Sequence, residues 1–313
     1  YNMVVGNAMD STLGVAFDVL DYALLSAPGA PLKQALLDAG IGKDIYGDYS
    51  DGVLQPYFSV IAKGARAARK EEFVSIIRNC LQDIVKNGID KKAVLSGINY
   101  MEFRYREADF GQFPKGLMYG LDIMGSWLYD DANAFSQVKL LEIYDKLKIA
   151  VNEGYFENLI QKWLLDNTHG LILTLVPKRG LAAQREKELA DKLEAYRSSL
   201  SDGQLEEMVE KTKALEAYQE SEERPEDLQC IPMLKRSDIR KEVNGFSNEE
   251  LQVDNSLFLY QDVCTNGIGY VNIMFEIKDM AVEKVHYLGL LKSVLGYVDT
   301  KNYTYGQLFN ETN

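Results

Sequence analysis

The stretch 181–227 reads LAAQREKELADKLEAYRSSLSDGQLEEMVEKTKALEAYQESEERPED and separates two longer segments of mixed helical and strand character. It contains 14 acidic and 7 basic residues, so it carries 7 of the 13 excess negative charges of the chain. A segment with this charge density stays in water and does not enter a core. The stretch therefore predicts a solvated connector between two bodies.

Two helices are predicted within the connector. Leu189, Leu193 and Tyr196 follow one another at steps of four and three, which places them on one face of a first helix. Ser201, followed three residues later by Gln204, has the capping-box pattern that begins a second helix. The apolar stripe of that helix consists of Leu205, Met208, Thr212 and Leu215.

Because both stripes are narrow, we expect the two helices to form a hairpin and to pack mainly on each other. The charged residues 222–227 then end the connector as an extended strap. We assign no catalytic, metal or substrate-binding residue. The structural hinge positions are assigned to Pro177, Gly180, Ser201, Gln204 and Pro225.

Length and composition exclude several classes of protein. A chain of 313 residues is longer than one core usually serves, so at least two domains are expected. The net charge of −13 disfavours nucleic-acid binding, which requires a basic surface. No apolar run reaches the length of a membrane helix, and the best candidate, 116–129, contains Asp122. Three widely spaced cysteines and no signal-peptide pattern suit a reducing, cytoplasmic setting.

The first body, residues 1–177, alternates helical and strand patterns. Pro31 and Gly40 mark the start and end of one helix, and Asp90 caps another. Strands are predicted at 1–5, at 54–62 and, as a buried strand, at 171–176. Helical stripes are formed by Leu13, Phe17, Leu20 and Leu24, and by Phe73, Ile76, Ile77, Cys80, Leu81, Ile84 and Val85. The pattern predicts a layered α+β domain.

The last body, residues 228–313, contains one strong turn signal. Asn266 and Gly267 lie between two alternating runs, 257–263 and 268–275, which predicts a β-hairpin. A helix is predicted over 282–295, and a further helical pattern begins at Tyr305 and stops. The first and last residues both look like cut ends.

Several short motifs occur in a fixed order along almost the whole chain. They are LDYALL at 20–25, PLKQALL at 31–37, QPYFSV at 55–60, GQFPKGL at 111–117, LLDNTH at 164–169, PKRGLAA at 177–183, PEDLQCIP at 225–232 and TNGI at 265–268. In this order they resemble landmarks of the presequence protease branch of the insulinase (pitrilysin) metallopeptidase superfamily. Each motif is weak alone, and the resemblance rests on their collinearity.

The resemblance implies a clamshell of four related α+β domains, in which a helical hairpin joins two halves around a peptide-cleaving chamber. This chain then corresponds to the second domain (1–177), of the mitochondrial processing peptidase-like type, the hairpin linker (178–227) and the incomplete third domain (228–313). The missing first and fourth domains are its expected partners. Since the cut domain would have open strand edges, we expect it to pair with another chain or to be poorly ordered.

The zinc site of such proteases needs an inverted His-x-x-Glu-His helix and a distant glutamate. By the resemblance, that helix precedes this chain. His169 and His286 are the two histidines here, and they are 117 positions apart with no second ligand at the required spacing. We interpret His169 as a turn or capping group and His286 as a packed or surface residue. No cofactor is expected in this chain, whereas zinc is expected in the full-length enzyme.

Two classes of function remain open. The first is a non-catalytic section of a zinc-dependent endopeptidase that degrades unfolded peptides, with the first body as a chamber wall and the hairpin as a hinge. The alternative is a stand-alone, metal-free interaction or scaffold protein of the same fold. An upstream His-x-x-Glu-His segment in the same polypeptide would favour the first class.

Overall fold

A computed structural model of the protein describes residues 1–242, 245, 248–254 and 256–312. These residues form two compact units. The first contains Tyr1–Leu175 together with Cys264–Asn313, and the second contains Val176–Val263. The segment 228–313 is thus divided between the units, and its assignment as the start of a third domain stays a prediction. The fold is α+β, with mostly helices and small sheets.

The sheet of the first unit has four antiparallel strands in the order β2-β3-β1-β4. They are β1 (Asn2–Val4), β2 (Asp44–Ser50), β3 (Tyr57–Lys63) and β4 (Gly170–Leu171). The strand predicted at 54–62 is confirmed as β3, which begins after Pro56. Proline has no amide hydrogen to donate to a neighbouring strand, so the ladder starts at the next residue.

Helices supply most of the first unit. They are α1 (Ser11–Asp21), α2 (Pro31–Asp38), α3 (Lys70–Asn87), α4 (Lys91–Glu107), α5 (Lys115–Trp127), α6 (Leu141–Ala150), α7 (Tyr155–Leu159), and, near the C-terminus, α11 (Val282–Val294) and α12 (Tyr305–Thr312). Two π-helical turns, Tyr22–Ser26 and Ile160–Leu165, continue α1 and α7. The second unit contains α8 (Leu181–Ser199), α9 (Asp202–Gln219), α10 (Pro225–Leu228), β5 (Glu249–Val253) and β6 (Ser256–Tyr260).

The core of the first unit forms where α1 packs on the sheet. The predicted stripe of α1 is confirmed, because Leu13, Phe17, Leu20 and Leu24 are all buried. The ring centroid of Phe17 lies 5.6 Å from that of Tyr49 on β2 and 5.9 Å from that of Phe58 on β3. Burying one such side chain stabilises the fold by about 1.5–3 kcal/mol. The aromatic contacts therefore fix the position of α1 beneath β2 and β3.

The segment Ser11–Asp38, which contains α1 and α2, is strongly apolar. Among the described residues, Ser11–Asp38 is by length and composition able to cross a membrane, with a mean hydropathy of 1.2. Its apolar window is 67% buried inside the protein, and a core helix passes the same test.

Local helix signals in the sequence are confirmed. Pro31 is the first residue of α2, and Gly40, with φ +62°, follows its end. The amides of Gly40 and Ile41 donate to the carbonyls of Leu37 and Leu36, which is the Schellman arrangement. The Asp90 side chain caps α4 by accepting from the amides of Lys92 and Ala93.

Two predicted strand regions are wrong. The run 171–176 continues the sheet only as far as Leu171, and Leu175 is 86% exposed. Apolar β-branched sequence alone does not make a strand, since a strand requires a neighbour to receive its hydrogen bonds. Near Asn266 the predicted turn forms, but the flanking runs do not pair, and the second unit instead pairs β5 with β6. Positions 243, 244, 246, 247, 255 and 313 of this predicted body lie outside the described residues.

Glu102 on α4 is a buried carboxylate with two cationic partners. Its Oε1 accepts from Arg106 Nε at 2.7 Å, and its Oε2 pairs with Lys148 on α6. Burial by itself raises the pKa of Glu102, but the hydrogen bonds from Lys148 and Arg106 outweigh burial and hold that pKa below its ordinary value. The ion pair with Lys148 therefore joins α4 to α6, whereas the pair with Arg106 lies within α4.

Glu102→Gln should lower the free energy of unfolding by roughly 1–3 kcal/mol near pH 7, because it leaves two cations without their counter-charge. Since the folded-state pKa is depressed, this contribution is present above the ordinary glutamate pKa and disappears as the pH falls through the folded-state value. Urea unfolding across this range measures it, with the exposed Glu142→Gln as the matched control. Equal losses in both variants would contradict the assignment.

Candidate functional site

The predicted hinge positions lie in and beside the helices of the second unit, and all five are exposed. Pro177 is in the loop before α8. Gly180 immediately precedes α8 with φ +76°, a backbone conformation that glycine adopts without strain. Pro225 is the first residue of α10, where its missing amide hydrogen costs nothing.

The predicted capping box between α8 and α9 is confirmed. The amide of Ser201 donates to Gln204 Oε1 at 2.9 Å, and the amide of Gln204 donates to Ser201 Oγ at 3.4 Å. These two bonds satisfy amide groups that a helix start otherwise leaves without partners. The side chains of Ser201 and Gln204 therefore fix the point at which α9 begins after α8.

The prediction that α8 and α9 pack on each other is wrong in the second unit. Their stripe residues are exposed, with Leu189 at 57% and Leu215 at 55%. The ion pairs along these helices, such as Lys211 with Glu207 at 2.7 Å, are also exposed and contribute little stability. Stripes of three or four residues on highly charged helices do not bury enough apolar surface to hold the pair together.

The described residues of the chain do not fit a zinc site. Within the described residues no group of three or more His, Cys, Asp or Glu side chains could hold a metal ion. His169 is an exposed turn residue whose amide donates to Asn167 Oδ1 at 2.7 Å. His286 is exposed on α11, with its ring centroid 4.0 Å from that of Tyr287.

The structure reveals a group of carboxylates that was not predicted from the sequence. Asp18 and Asp21 lie on the face of α1 beside β2. The Asp18 side chain is half-buried, and the surrounding protein removes part of the water from its carboxyl group. Asp21 Oδ2 accepts from Ser26 Oγ at 2.8 Å, whereas its Oδ1 is buried without a hydrogen-bond partner among the described residues.

Gly47 on β2 makes room for one of these carboxylates. A Cβ atom at Gly47 would lie 1.8 Å from Asp21 Oδ1 and 2.6 Å from a methyl group of Leu25. Any other residue at this position would thus displace the carboxylate or the strand. Close to it on β2, the Tyr49 hydroxyl approaches Gly14 on α1, at 3.6 Å from the position of a Cβ atom there.

Burial and like charges change the protonation of these groups. Burial, followed by the charges of Asp51 and Asp21, raises the pKa of Asp18 to about 7. Burial also raises the pKa of Asp21, against the Ser26 hydrogen bond and with a contribution from Asp48. Asp18 therefore changes charge near neutral pH, which an ordinary aspartate does not do.

A signal for this group was present in the sequence. Gly14, Asp18 and Asp21 are spaced by four and three residues, which places them on one helical face next to the apolar stripe. The helix was predicted from its apolar stripe alone, and no role was predicted for these three residues. The approach of β2, which lies more than twenty residues later in the chain, could not be read from this local pattern.

Comparison with known proteins gives the family. The model of a family described as associated with M16 peptidases of subgroup C matches residues 175–313. Protein HypA of Clostridium perfringens is 39% identical over 312 residues, and the match covers 100% of this chain. Presequence protease 1, chloroplastic/mitochondrial, of Arabidopsis thaliana is 30% identical over 305 residues and 96% of this chain.

The chain belongs to the presequence protease branch of the M16 insulinase-type peptidases. The resemblance seen in the sequence motifs is thereby confirmed. This M16 chain spans 32% of the length of the C. perfringens relative and 28% of that of the A. thaliana relative, so it matches about a third of each.

A solved structure gives a weaker match. It is the inactive peptidase domain of a protein from Bordetella parapertussis that is described as a zinc protease. The match has a TM-score of 0.42 and 16% identity, and it covers 57% of this M16 chain and 91% of the solved one.

Asp18→Asn should stabilise the protein at alkaline pH. The folded-state pKa of about 7 exceeds the ordinary value of 3.8, so the folded state holds the proton more tightly. Stability that is present below the ordinary pKa is then lost as the pH rises through the folded-state pKa. We expect the stability difference between variant and wild type to grow by about 2–4 kcal/mol from about pH 4 to about pH 8.

Urea unfolding at a series of pH values measures this difference. The exposed Asp145→Asn on α6 makes the same chemical change away from this group of carboxylates and is the control. A stability difference for Asp18→Asn that is constant with pH would show that the Asp18 carboxyl group titrates normally.

Proposed function

We propose that this M16 chain is a non-catalytic section of a zinc-dependent endopeptidase that degrades unfolded peptides. The observation that carries the proposal is the similarity to a presequence protease along 96% of the chain, combined with the lack of a metal-binding donor set in the described residues. The relatives are about three times as long as the chain, which leaves room for a metal-binding helix elsewhere in the polypeptide.

In the proposed arrangement the first unit forms part of the wall of a peptide chamber. In the finer layout of this proposal, residues 1–177 form an insulinase-type layered domain. Residues 178–227 form the hinge, and residues 228–313 begin a second α+β domain. For the longer protein we also propose peptide substrates and a cytoplasmic location. Its first and fourth domains would be the partners of this chain. Residues 1–175 contain 22 acidic and 17 basic residues, and an excess of negative charge on such a wall attracts basic peptides.

The segment from Pro177 to Pro225 is the proposed hinge. Support comes from the positive φ of Gly180 before α8 and from the capping box that interrupts the helices at Ser201. Such positions absorb changes of backbone angle while the helices on either side keep their hydrogen bonds. The exposed stripes of α8 and α9 offer apolar surface to the rest of the longer protein.

The location of the chemistry is tested by comparing this chain with the longer polypeptide of its reading frame. We expect the longer protein to bind about one zinc ion and to cleave an unstructured peptide in a chelator-sensitive manner. The 313-residue chain should bind substoichiometric zinc and should not cleave. Metal analysis and a fluorogenic peptide assay measure both properties.

Stoichiometric zinc and chelator-sensitive cleavage by the isolated chain would refute the proposal. A longer protein that binds no zinc and cleaves no peptide would instead support the metal-free scaffold alternative.

The hinge is tested by a matched pair of glycine substitutions in the longer protein. Gly180→Ala and Gly203→Ala both place a methyl group in open space, but only Gly180 has a positive φ. A left-handed alanine costs about 1 kcal/mol, so Gly180→Ala should change kcat and KM together by up to about fivefold. Gly203→Ala should leave both parameters unchanged. Identical kinetics for the two variants would argue against a hinge at Gly180.

A further inference from the structure

Residues 264–312 belong to the first unit but have no core of their own. The structure describes every residue of this range, and none of them is buried. Met274 is 89% exposed and Phe275 is 81% exposed, and α11 is exposed along nearly its whole length. We call residues 264–312 the C-terminal arm. A segment with so few buried apolar contacts separates from its surroundings at a much lower cost in free energy than global unfolding.

The arm contacts the rest of the first unit at an aromatic platform, which consists of Tyr22, Gly97 and Tyr100. Tyr22 lies in the π-helical turn after α1, and its ring stacks on that of Tyr100 on α4 with 4.9 Å between the centroids. A Cβ atom at Gly97 would lie 3.0 Å from the Tyr22 ring, so glycine lets this ring lie close against α4. The ring centroid of Phe309 on α12 lies 6.4 Å from that of Tyr22. The platform therefore provides an apolar contact surface for α12.

Exposed polar pairs hold the arm at the two ends of α4. The pairs are Lys92 with Glu311, Arg106 with Asn266, and Glu107 with Tyr270. The first is an ion pair in the first turn of α4, and the other two are hydrogen-bonded pairs in its last turn. The Asn266 side chain donates to the Arg106 carbonyl oxygen at 3.0 Å, and the Tyr270 hydroxyl donates to Glu107 Oε1 at 3.0 Å. Exposed pairs of this kind each contribute little stability.

We propose that α4 and the aromatic platform form a reversible docking site for α12, from which the C-terminal arm detaches as a unit. Both ends of the arm are held by the same helix, so loss of one set of contacts leaves the arm on the other set alone. Detachment also unwinds α12, because a helix of eight residues is not stable in water by itself.

Docking of the arm restricts the preceding segment of the chain. The second unit leaves the first unit after Leu175, and the chain returns to the first unit at Cys264. Docking therefore holds both ends of the segment 176–263, and detachment of the arm releases one of them. That this release serves the opening of a hinge rests on the proposed function, whereas the docking itself does not.

The test is hydrogen–deuterium exchange of the 313-residue chain, measured by mass spectrometry, with the charges of the ion pair reversed. Lys92→Glu and Glu311→Lys each replace attraction by repulsion, so each should speed exchange at 305–312 by about three- to fivefold. The double variant restores an ion pair in the opposite orientation and should exchange within about twofold of wild type.

The charge reversals do not weaken the helices that carry them. A glutamate at position 92 lies in the first turn of α4, and a lysine at position 311 lies in the last turn of α12, where each charge suits the helix dipole. Lys146→Glu on α6 changes the net charge as Lys92→Glu does, at an exposed position, and should leave exchange at 305–312 as in wild type.

Two further variants test the platform and the unity of the arm with the same measurement. Phe309→Ala removes the aromatic contact with Tyr22 and should speed exchange at 305–312 by about tenfold. Tyr270→Phe removes only the hydrogen bond to Glu107, at the far end of α4 from Lys92. If the arm detaches as a unit, Tyr270→Phe should nevertheless speed exchange at 305–312 by about twofold.

Unchanged exchange at 305–312 in both charge reversals, or a double variant that exchanges as fast as the single ones, would overturn the proposal. Unchanged exchange in Tyr270→Phe would also overturn it, because the two ends of the arm would then be held independently. These measurements need neither zinc nor peptide cleavage, so their failure would leave the comparison with the longer polypeptide unaffected. Conversely, a metal-free scaffold protein could still release its arm.

Discussion

The packing of α1 beneath β2 and β3 is the contact on which the first unit depends. Phe17 is enclosed between Tyr49 and Phe58, and Leu20 and Leu24 complete the buried face. Because this apolar face is fixed, α1 cannot rotate to bring the neighbouring face, which carries Asp18 and Asp21, into water. The same packing that stabilises the core therefore holds Asp18 and Asp21 against β2, where their ionisation is unfavourable.

The chain contains two very different concentrations of acidic residues. The helices α8 and α9 expose their carboxylates to water, where the charges are screened and weakly coupled. Asp18 and Asp21, on the face of α1 beside β2, have lost much of that solvation. The exposed acidic segment therefore suits the proposed connector, whereas the half-buried pair is held in place by the packing of α1. Among the described residues neither arrangement supplies a metal site.

Features decided by near neighbours could be predicted from the sequence. The Ser201–Gln204 capping box and the Asp90 cap involve residues three or fewer positions apart, and the stripe of α1 follows from helical periodicity. Features that need a distant partner could not. The run 171–176 has the composition of a strand but pairs only as far as Leu171. Asp18 looks like an ordinary surface aspartate until β2 covers it, and Gly47 gains its importance only from the Asp21 carboxylate beside it.

The central claim is that packing of α1 partly desolvates the Asp18 carboxyl group and places it beside other carboxylates. Its most direct test is a pH titration of the side-chain carboxyl ¹³C resonance of Asp18 in the labelled chain, assigned by comparison with Asp18→Asn. We predict a midpoint of about 7. A midpoint close to the ordinary aspartate value of 3.8 would contradict the claim, because the carboxyl group would then be hydrated or paired with a cation.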